Sequence, residues 1–252
     1  MTVKDPLQAT TMAPNPAFPR AKLVERREIT SDLMVIKLEP EDAPFSFKAG
    51  QYCTLGLGKI ERAYSIVSAP HEQLLEIFVE LVPEGGLTPL MWQLKIGDYM
   101  SIRPRAKGIF TLDKKAHHHF MAATVTGVAP FVSMIRSHLY NGGQDHRFYV
   151  LLGASYQDEL VYDRELHHLA KKHPDCVQFV PTISRPDDAR NAGWSGAKGR
   201  VNLIAEEYLE RFNPPQDDTV VYTCGHPGMI ADLKSKIPPK GWKFKEERFW
   251  KG

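Results

Sequence analysis

The chain has few cysteines. Only Cys53, Cys176 and Cys224 occur in 252 residues, far apart and odd in number. They make neither a disulfide framework nor a zinc or iron–sulfur ligand set, so a reducing, cytoplasmic compartment is expected. No apolar run approaches the length of a bilayer span. The first residues lack the charged-then-apolar pattern of a secretion signal, and no membrane partner is expected. Charge of one sign is also scarce. A formal net charge of +2 is too small to suggest a nucleic-acid partner, though it leaves room for a basic patch facing an acidic protein. Internal repeats and low-complexity tracts are absent. What remains is an ordinary globular composition, 42% hydrophobic and 25% charged, long enough for one or two domains with a real core. A monomer is expected.

Residues 1–20 are rich in Thr, Ala and Pro (Pro6, Pro14, Pro16, Pro19) and read as an N-terminal extension without assigned chemistry. Residues 21–115 carry strand signals. Met34, Ile36 and Leu38 alternate with Val35, Lys37 and Glu39, and Leu75, Ile77, Val79 and Leu81 alternate with Glu76, Phe78, Glu80 and Val82. Short strands broken by Gly and Pro predict an antiparallel β-barrel, with one helix near Pro89–Leu94 closing its end. Over residues 116–252 the pattern changes. Strands are expected at His119–Thr124, Arg147–Gly153, Val177–Ile183, Thr219–Cys224 and Lys243–Phe249. Helical patterns lie between them: Phe131, Ile135 and Leu139; Leu166 and Ala170; Val201–Phe212; Gly228–Ile237. Such alternation predicts an α/β domain with a parallel sheet that binds ligands at the carboxyl ends of its strands.

Four stretches carry candidate chemistry. In Arg62-Ala63-Tyr64-Ser65, Arg62 and Tyr64 share one face of a strand. A fixed cation beside a flat ring, with the Ser65 hydroxyl at the end, suits a ligand that has both a phosphate and a ring system. FAD is such a ligand; alone, the tetrapeptide fits an ordinary barrel strand as well. Downstream, Val82-Pro83-Glu84-Gly85-Gly86-Leu87-Thr88-Pro89 reads as a strand end, a Gly-rich turn and a helix start, whose free N–H groups attract phosphate. Thr124-Val125-Thr126-Gly127-Val128-Ala129-Pro130 has the same form after the first strand of the second domain. Cys224-Gly225-His226-Pro227 ends a later strand before another helix.

RAYS, VPEGGLTP, TVTGVAPF and YTCGHPGM, in that order, resemble the ferredoxin–NADP reductase family, above all the bacterial ferredoxin (flavodoxin) reductases. The likeness spans residues 21–250. It implies an FAD-binding barrel followed by an NADP-binding domain. It also implies hydride exchange with NADP(H) and single-electron exchange with ferredoxin or flavodoxin. FAD would lie against Arg62, Ala63, Tyr64, Ser65, Val79, Glu80, Leu81, Gly86, Leu87, Thr88 and Thr124. NADP would meet Thr126, Gly127, Val128, Ala129, Pro130, Cys224, Gly225, Pro227 and Met229, with its 2′-phosphate on Ser184, Arg185 and Arg200. Ser65, Cys224 and Phe249 would lie nearest the chemistry, Phe249 beside the flavin ring and Trp250 beside the adenine. Cys224 reads equally as a small buried strand residue.

Two departures from the family pattern set further expectations. Val125 stands where the family usually has glycine, and a β-branched residue does not take positive φ cheaply, so a differently shaped loop is expected. An arginine often found after the second strand is replaced by Ala154, which predicts a smaller preference for NADPH. Rival readings are a reductase of free flavins, a reductase feeding an oxygenase, and a non-catalytic nucleotide-binding module. No metal is expected. Residues adjacent on a strand alternate faces, so His117-His118-His119 cannot easily converge on one ion. Two basic clusters, Arg103/Arg105/Lys107 and Lys234/Lys236/Lys240/Lys243/Lys245, are candidates for steering an acidic carrier.

Overall fold

The computed structural model describes residues 13–42 and 44–248. The chain divides into two compact units, Met1–Thr111 and Leu112–Gly252. In the first, strands β1 (Arg20–Glu28), β2 (Leu33–Pro40), β3 (Tyr52–Leu57), β4 (Ile60–Ser65), β5 (Leu75–Glu80) and β6 (Tyr99–Ile102) form an antiparallel sheet in the order β4-β3-β6-β1-β2-β5. A single bridge between Ile66 and Ile77 joins its two ends and closes the barrel. The alternating apolar residues explain the closure. Met34, Ile36 and Leu38 of β2 point into the same core as Ile77 and Val79 of β5 and Leu55 and Leu57 of β3.

The end of this core is plugged by α1 (Thr88–Met91) through Leu87, Met91 and Leu94. The expected helix through Leu94 lasts only one turn. Beyond it Gln93 N–H bonds Leu90 C=O and Leu94 N–H bonds Met91 C=O, i to i−3 contacts that tighten the chain as the helix ends.

In the second unit, β7 (His118–Thr124), β8 (Arg147–Ala154), β9 (Val177–Ile183), β10 (Ala197–Lys198), β11 (Thr219–Cys224) and β12 (Lys243–Glu247) are parallel, in the order β10-β9-β8-β7-β11-β12. The α-helices are α2 (Ala129–Tyr140), α3 (Asp163–Lys172), α4 (Val201–Phe212) and α5 (Pro227–Lys236). Phe120, Leu151 and Val221 of the sheet pack with Val201, Ala205 and Leu209 of α4 and Ile230 and Leu233 of α5. From β7 the chain steps outward through β8, β9 and β10, then crosses back to β11 on the other side of β7. That reversal leaves a crevice at the carboxyl ends of β7 and β11, where sheets of this kind bind nucleotides. In the histidine triplet, His117 bonds Asp218, His118 bonds Tyr149 and His119 bonds His146, whose ring His117 also faces at 5.7 Å between centroids.

Candidate functional site

One candidate site, in the first unit, is built on β4. Arg62 and Ala63 are exposed, and Tyr64 and Ser65 are half-buried. The Tyr64 hydroxyl donates to Met91 Sδ at 3.2 Å, tying the strand to α1. Burial raises the Tyr64 pKa well above its ordinary value, against the pull of Arg62, so the ring stays uncharged. The Arg62 guanidinium reaches the Gly86 turn: a Cβ built on Gly86 would lie 3.8 Å from Arg62 Nη2. Among the described residues Arg62 forms no ion pair; it donates to the Glu61 carbonyl at 2.8 Å. The Thr88 hydroxyl is occupied elsewhere, donating to Val82 C=O and accepting from Val82 N–H. Thr88 therefore holds the turn closed and can offer a ligand only its backbone. Because α1 has just four residues, its dipole is small, and anion attraction there rests on turn N–H groups and Arg62.

The strand end is divided in the same way. Val79 is buried in the barrel core, whereas Glu80 and Leu81 are only partly buried. Among the described residues the buried Ser65 hydroxyl has no hydrogen-bond partner, a defect costing about 1–3 kcal/mol unless a ligand supplies the partner. An orphan hydroxyl, a neutral ring, an uncompensated guanidinium and an open turn together suit FAD. Arg62→Ala is expected to weaken FAD binding about tenfold or more, from loss of a charge-assisted contact. Unchanged cofactor retention on a desalting column would refute that role for Arg62.

A separate candidate site, in the second unit, lies in the crevice between β7 and β11. A 3-10 turn, Val125–Val128, links β7 to α2. The expectation for Val125 is corrected here: its φ is 43°, in the left-handed region. The neighbouring turn holds it there. A Cβ on Gly127 would fall 2.2 Å from the Cys224 carbonyl oxygen, and one on Gly225 would fall 2.3 Å from Thr124 Oγ1. Thr124 Oγ1 also accepts from His226 N–H at 2.7 Å. The two turns thus meet backbone to backbone, and Val125 pays the conformational cost. Val125→Gly is expected to raise stability by about 1 kcal/mol, as relief of left-handed strain outweighs the added chain entropy. A urea midpoint that falls in this variant would contradict that balance.

Side chains in these turns mostly face inward. Val128, Ala129, Pro130 and Met229 are buried, so their contribution to a ligand is confined to backbone and shape, while Thr126 stays partly open. Pro227 opens α5, and the His226 ring accepts from Gly228 N–H at 3.0 Å. Cys224 is fully buried, and burial followed by the nearby Glu247 carboxylate raises its pKa far above the usual thiol range. It is a neutral small side chain and no nucleophile. Glu247 pairs with Cys224 across the β11–β12 ladder, and burial raises its own pKa. That Glu247 lies opposite Cys224 is visible only in the strand register.

Farther along the sheet edge, Ser184 follows β9, with its N–H bonded to Ala154 C=O at 2.9 Å. Arg185 Nη1 donates to Tyr156 Oη at 2.6 Å, and Arg190 lies over the Tyr156 ring at 4.1 Å. Arg190 is paired with Asp158 and Glu159, whereas Arg185 and Arg200 have no carboxylate partner among the described residues. Arg200 is exposed at the N-cap of α4. Tyr156 was not singled out from sequence; its position under two guanidinium groups appears only in the fold. Phe249 and Trp250 lie outside the described residues.

Comparison with known proteins identifies both units. Residues 20–109 match the oxidoreductase FAD-binding domain family, and residues 121–235 match the oxidoreductase NAD-binding domain family. The flavodoxin/ferredoxin–NADP reductase of Escherichia coli K12 is 30% identical over 202 residues, covering 75% of this chain and 77% of its own. Ferredoxin–NADP reductase B of Sorangium cellulosum is 31% identical over 221 residues, covering 84% and 87%. The fold is similar to a Neisseria gonorrhoeae ferredoxin NADP+ reductase solved with FAD and NADP, with TM-score 0.80, 24% identity, and coverage of 94% and 100%. The chain belongs to the ferredoxin–NADP reductase family and is an FAD- and NAD(P)-binding oxidoreductase.

Proposed function

We propose that this chain exchanges hydride with NADP(H) and single electrons with an acidic carrier, a ferredoxin or a flavodoxin. The observation that carries the nucleotide choice is the pair Arg185 and Arg200, which have no carboxylate partner among the described residues and are suited to an adenosine 2′-phosphate. Support for the carrier comes from the names of the Escherichia coli and Sorangium relatives. Bound flavin would supply the redox chemistry, taking up two electrons as hydride and releasing them singly. The protein's own groups do the rest. Arg62 and the Gly86 turn anchor the anionic end of the cofactor, Ser65 offers a buried hydroxyl, and Cys224, small and buried, underlies the end of β11.

Carrier steering falls on fewer cations than composition suggests. Lys234, Lys236, Lys240 and Lys245 are paired with Glu246, Asp232, Glu206 and Asp113, and Arg103 is paired with Glu61. Arg105 and Lys107 are exposed and form no ion pair among the described residues, and the nearby Ile109 is 93% exposed. We assign carrier docking to this stretch of the first unit.

The test is anaerobic. NADPH should bleach the flavin faster than NADH, and mixing with purified ferredoxin or flavodoxin should restore its colour at a rate that falls with salt. Reduced protein that ignores both carriers but reduces free flavin would favour the free-flavin reading. A yellow protein that NADPH does not bleach would favour the binding module.

A further inference from the structure

The second unit holds a histidine cluster at the amino ends of its strands, opposite the crevice that receives the nucleotide. His138 lies in the last turn of α2, and the loop after that helix doubles back to place Asp145 and His146 immediately before β8. Gly143 makes the return possible. A Cβ there would fall 2.2 Å from His138 Cε1, so only glycine lets the loop lie against the imidazole. Gly143 N–H bonds the His138 carbonyl at 3.1 Å, which pins the loop to the helix end.

One ligand atom from each of His138, Asp145 and His146 lies within 4.8 Å of the others. Asp145 Oδ1 is 3.8 Å from His138 Nε2, and Asp145 Oδ2 is 3.7 Å from His146 Nε2. These separations are too long for hydrogen bonds. His138 Nε2 is buried and has no hydrogen-bond partner among the described residues. They are, however, close to the spacing of ligands around one ion. Bonds of about 2.0–2.2 Å at tetrahedral angles put donor atoms roughly 3.3–3.6 Å apart. The Asp145 side chain, 68% exposed, is free to close the remaining gap, while the His138 and His146 side chains are only 11% and 13% exposed and stay fixed.

The surroundings fit a ligand set as well. His146 Nδ1 lies 2.7 Å from Nε2 of His119, which is fully buried on β7. With Nε2 of His146 on a metal, its Nδ1–H donates to His119. Such a second contact orients a ligating imidazole and raises its basicity. Phe148 packs against both His119 and His138, at ring-centroid distances of 5.3 and 5.2 Å, and supplies an apolar wall. Two imidazoles and one carboxylate suit a borderline divalent ion such as Zn²⁺, with water in the fourth position.

We propose that His138, Asp145 and His146 bind a divalent transition-metal ion, Zn²⁺ serving as the probe, and that the ion staples the end of α2 to the start of β8. The site involves none of the residues assigned to flavin or nucleotide. The three ligands come from a helix end and a loop, and neither shows the short His-x-His or Cys-x-x-Cys spacing by which metal sites are found in sequence.

The experiment uses untagged, FAD-loaded protein, stripped with chelator and titrated with ZnCl₂ by calorimetry. One Zn²⁺ per chain is expected, together with a rise in melting temperature on adding zinc. Asp145→Asn should weaken binding about tenfold or more, by analogy with changes at less direct positions of metal sites. The double variant His138→Gln/His146→Gln should abolish both binding and the thermal shift. Asp145 is exposed enough that its variant tests the idea even if the double variant fails to fold. The proposal is overturned if the wild type takes up no stoichiometric zinc. It is also overturned if the Asp145→Asn isotherm matches the wild type, or if stoichiometric binding survives in the double variant.

Discussion

Gly127→Ala is expected to destabilise the second unit by about 2–4 kcal/mol and to cut nicotinamide turnover about 100-fold. The added methyl would be 2.2 Å from the Cys224 carbonyl oxygen and 2.5 Å from its carbon. Both are backbone atoms, and neither can rotate away as a flexible side chain would. Overpacking in a tight core typically costs about 1–3 kcal/mol, and displacing a strand end adds to that. The routes of relief are harmful: β7 and β11 are hydrogen-bonded neighbours through Ala123 and Cys224, so separating the turns tears the ladder at the crevice. A displacement of about 1 Å near reacting groups costs on the order of 100-fold in rate. Urea unfolding and steady-state kinetics with NADPH measure the two effects. A Gly127→Ala enzyme with wild-type stability and turnover would show that the turns do not meet as described.

Replacing both Arg185 and Arg200 with alanine should lower kcat/KM for NADPH about 100-fold and leave that for NADH within about twofold. Each guanidinium contributes charge-assisted contacts worth about 1.5–3 kcal/mol to a phosphate, discounted because both arginines are exposed. NADH lacks the 2′-phosphate and so has nothing to lose. In free protein Arg185 is held by the Tyr156 hydroxyl at 2.6 Å, which orients it before ligand arrives and reduces the ordering cost of binding. Ala154, in place of an arginine, limits the number of cations available, so the starting preference should be modest. Equal losses with both nucleotides would show that these arginines support the fold and do not read the phosphate.

Much of the architecture was legible in the sequence because periodicity encodes it directly. Alternation at Met34–Leu38 and Leu75–Val79 identifies barrel strands, and the predicted bounds of Val177–Ile183, Thr219–Cys224 and Val201–Phe212 coincide with the elements found. The helix after Pro89 was overestimated because Leu90, Met91 and Leu94 show helical spacing. Their burial comes from plugging the barrel, and local pattern cannot distinguish the two causes. Val125 was misjudged for a related reason. Intrinsic preference argued against positive φ, but contacts a hundred residues away in sequence impose it, through Gly127 on Cys224 and Thr124 on His226. Tyr156 was missed because its neighbours Arg185 and Arg190 lie some thirty residues on in loops, and the place of Glu247 opposite Cys224 appears only in the strand register. Of the lysine cluster the sequence shows only the cations; the carboxylates paired with Lys234, Lys236, Lys240 and Lys245 appear only in the fold.

The way each sheet ends bears on how the protein behaves when concentrated. An open strand edge is a template on which another copy can add a strand, and long apolar edges of this kind seed aggregates. In the first unit the Ile66–Ile77 bridge leaves little edge to offer. In the second, one margin is β10, only two residues long, and the other is β12, whose sequence Lys-Phe-Lys-Glu-Glu carries four charges in five residues. A docking strand would find either too few hydrogen bonds or a row of charges to desolvate. The same sheet that must keep its carboxyl ends open for a nucleotide is thereby closed to its own copies along its sides.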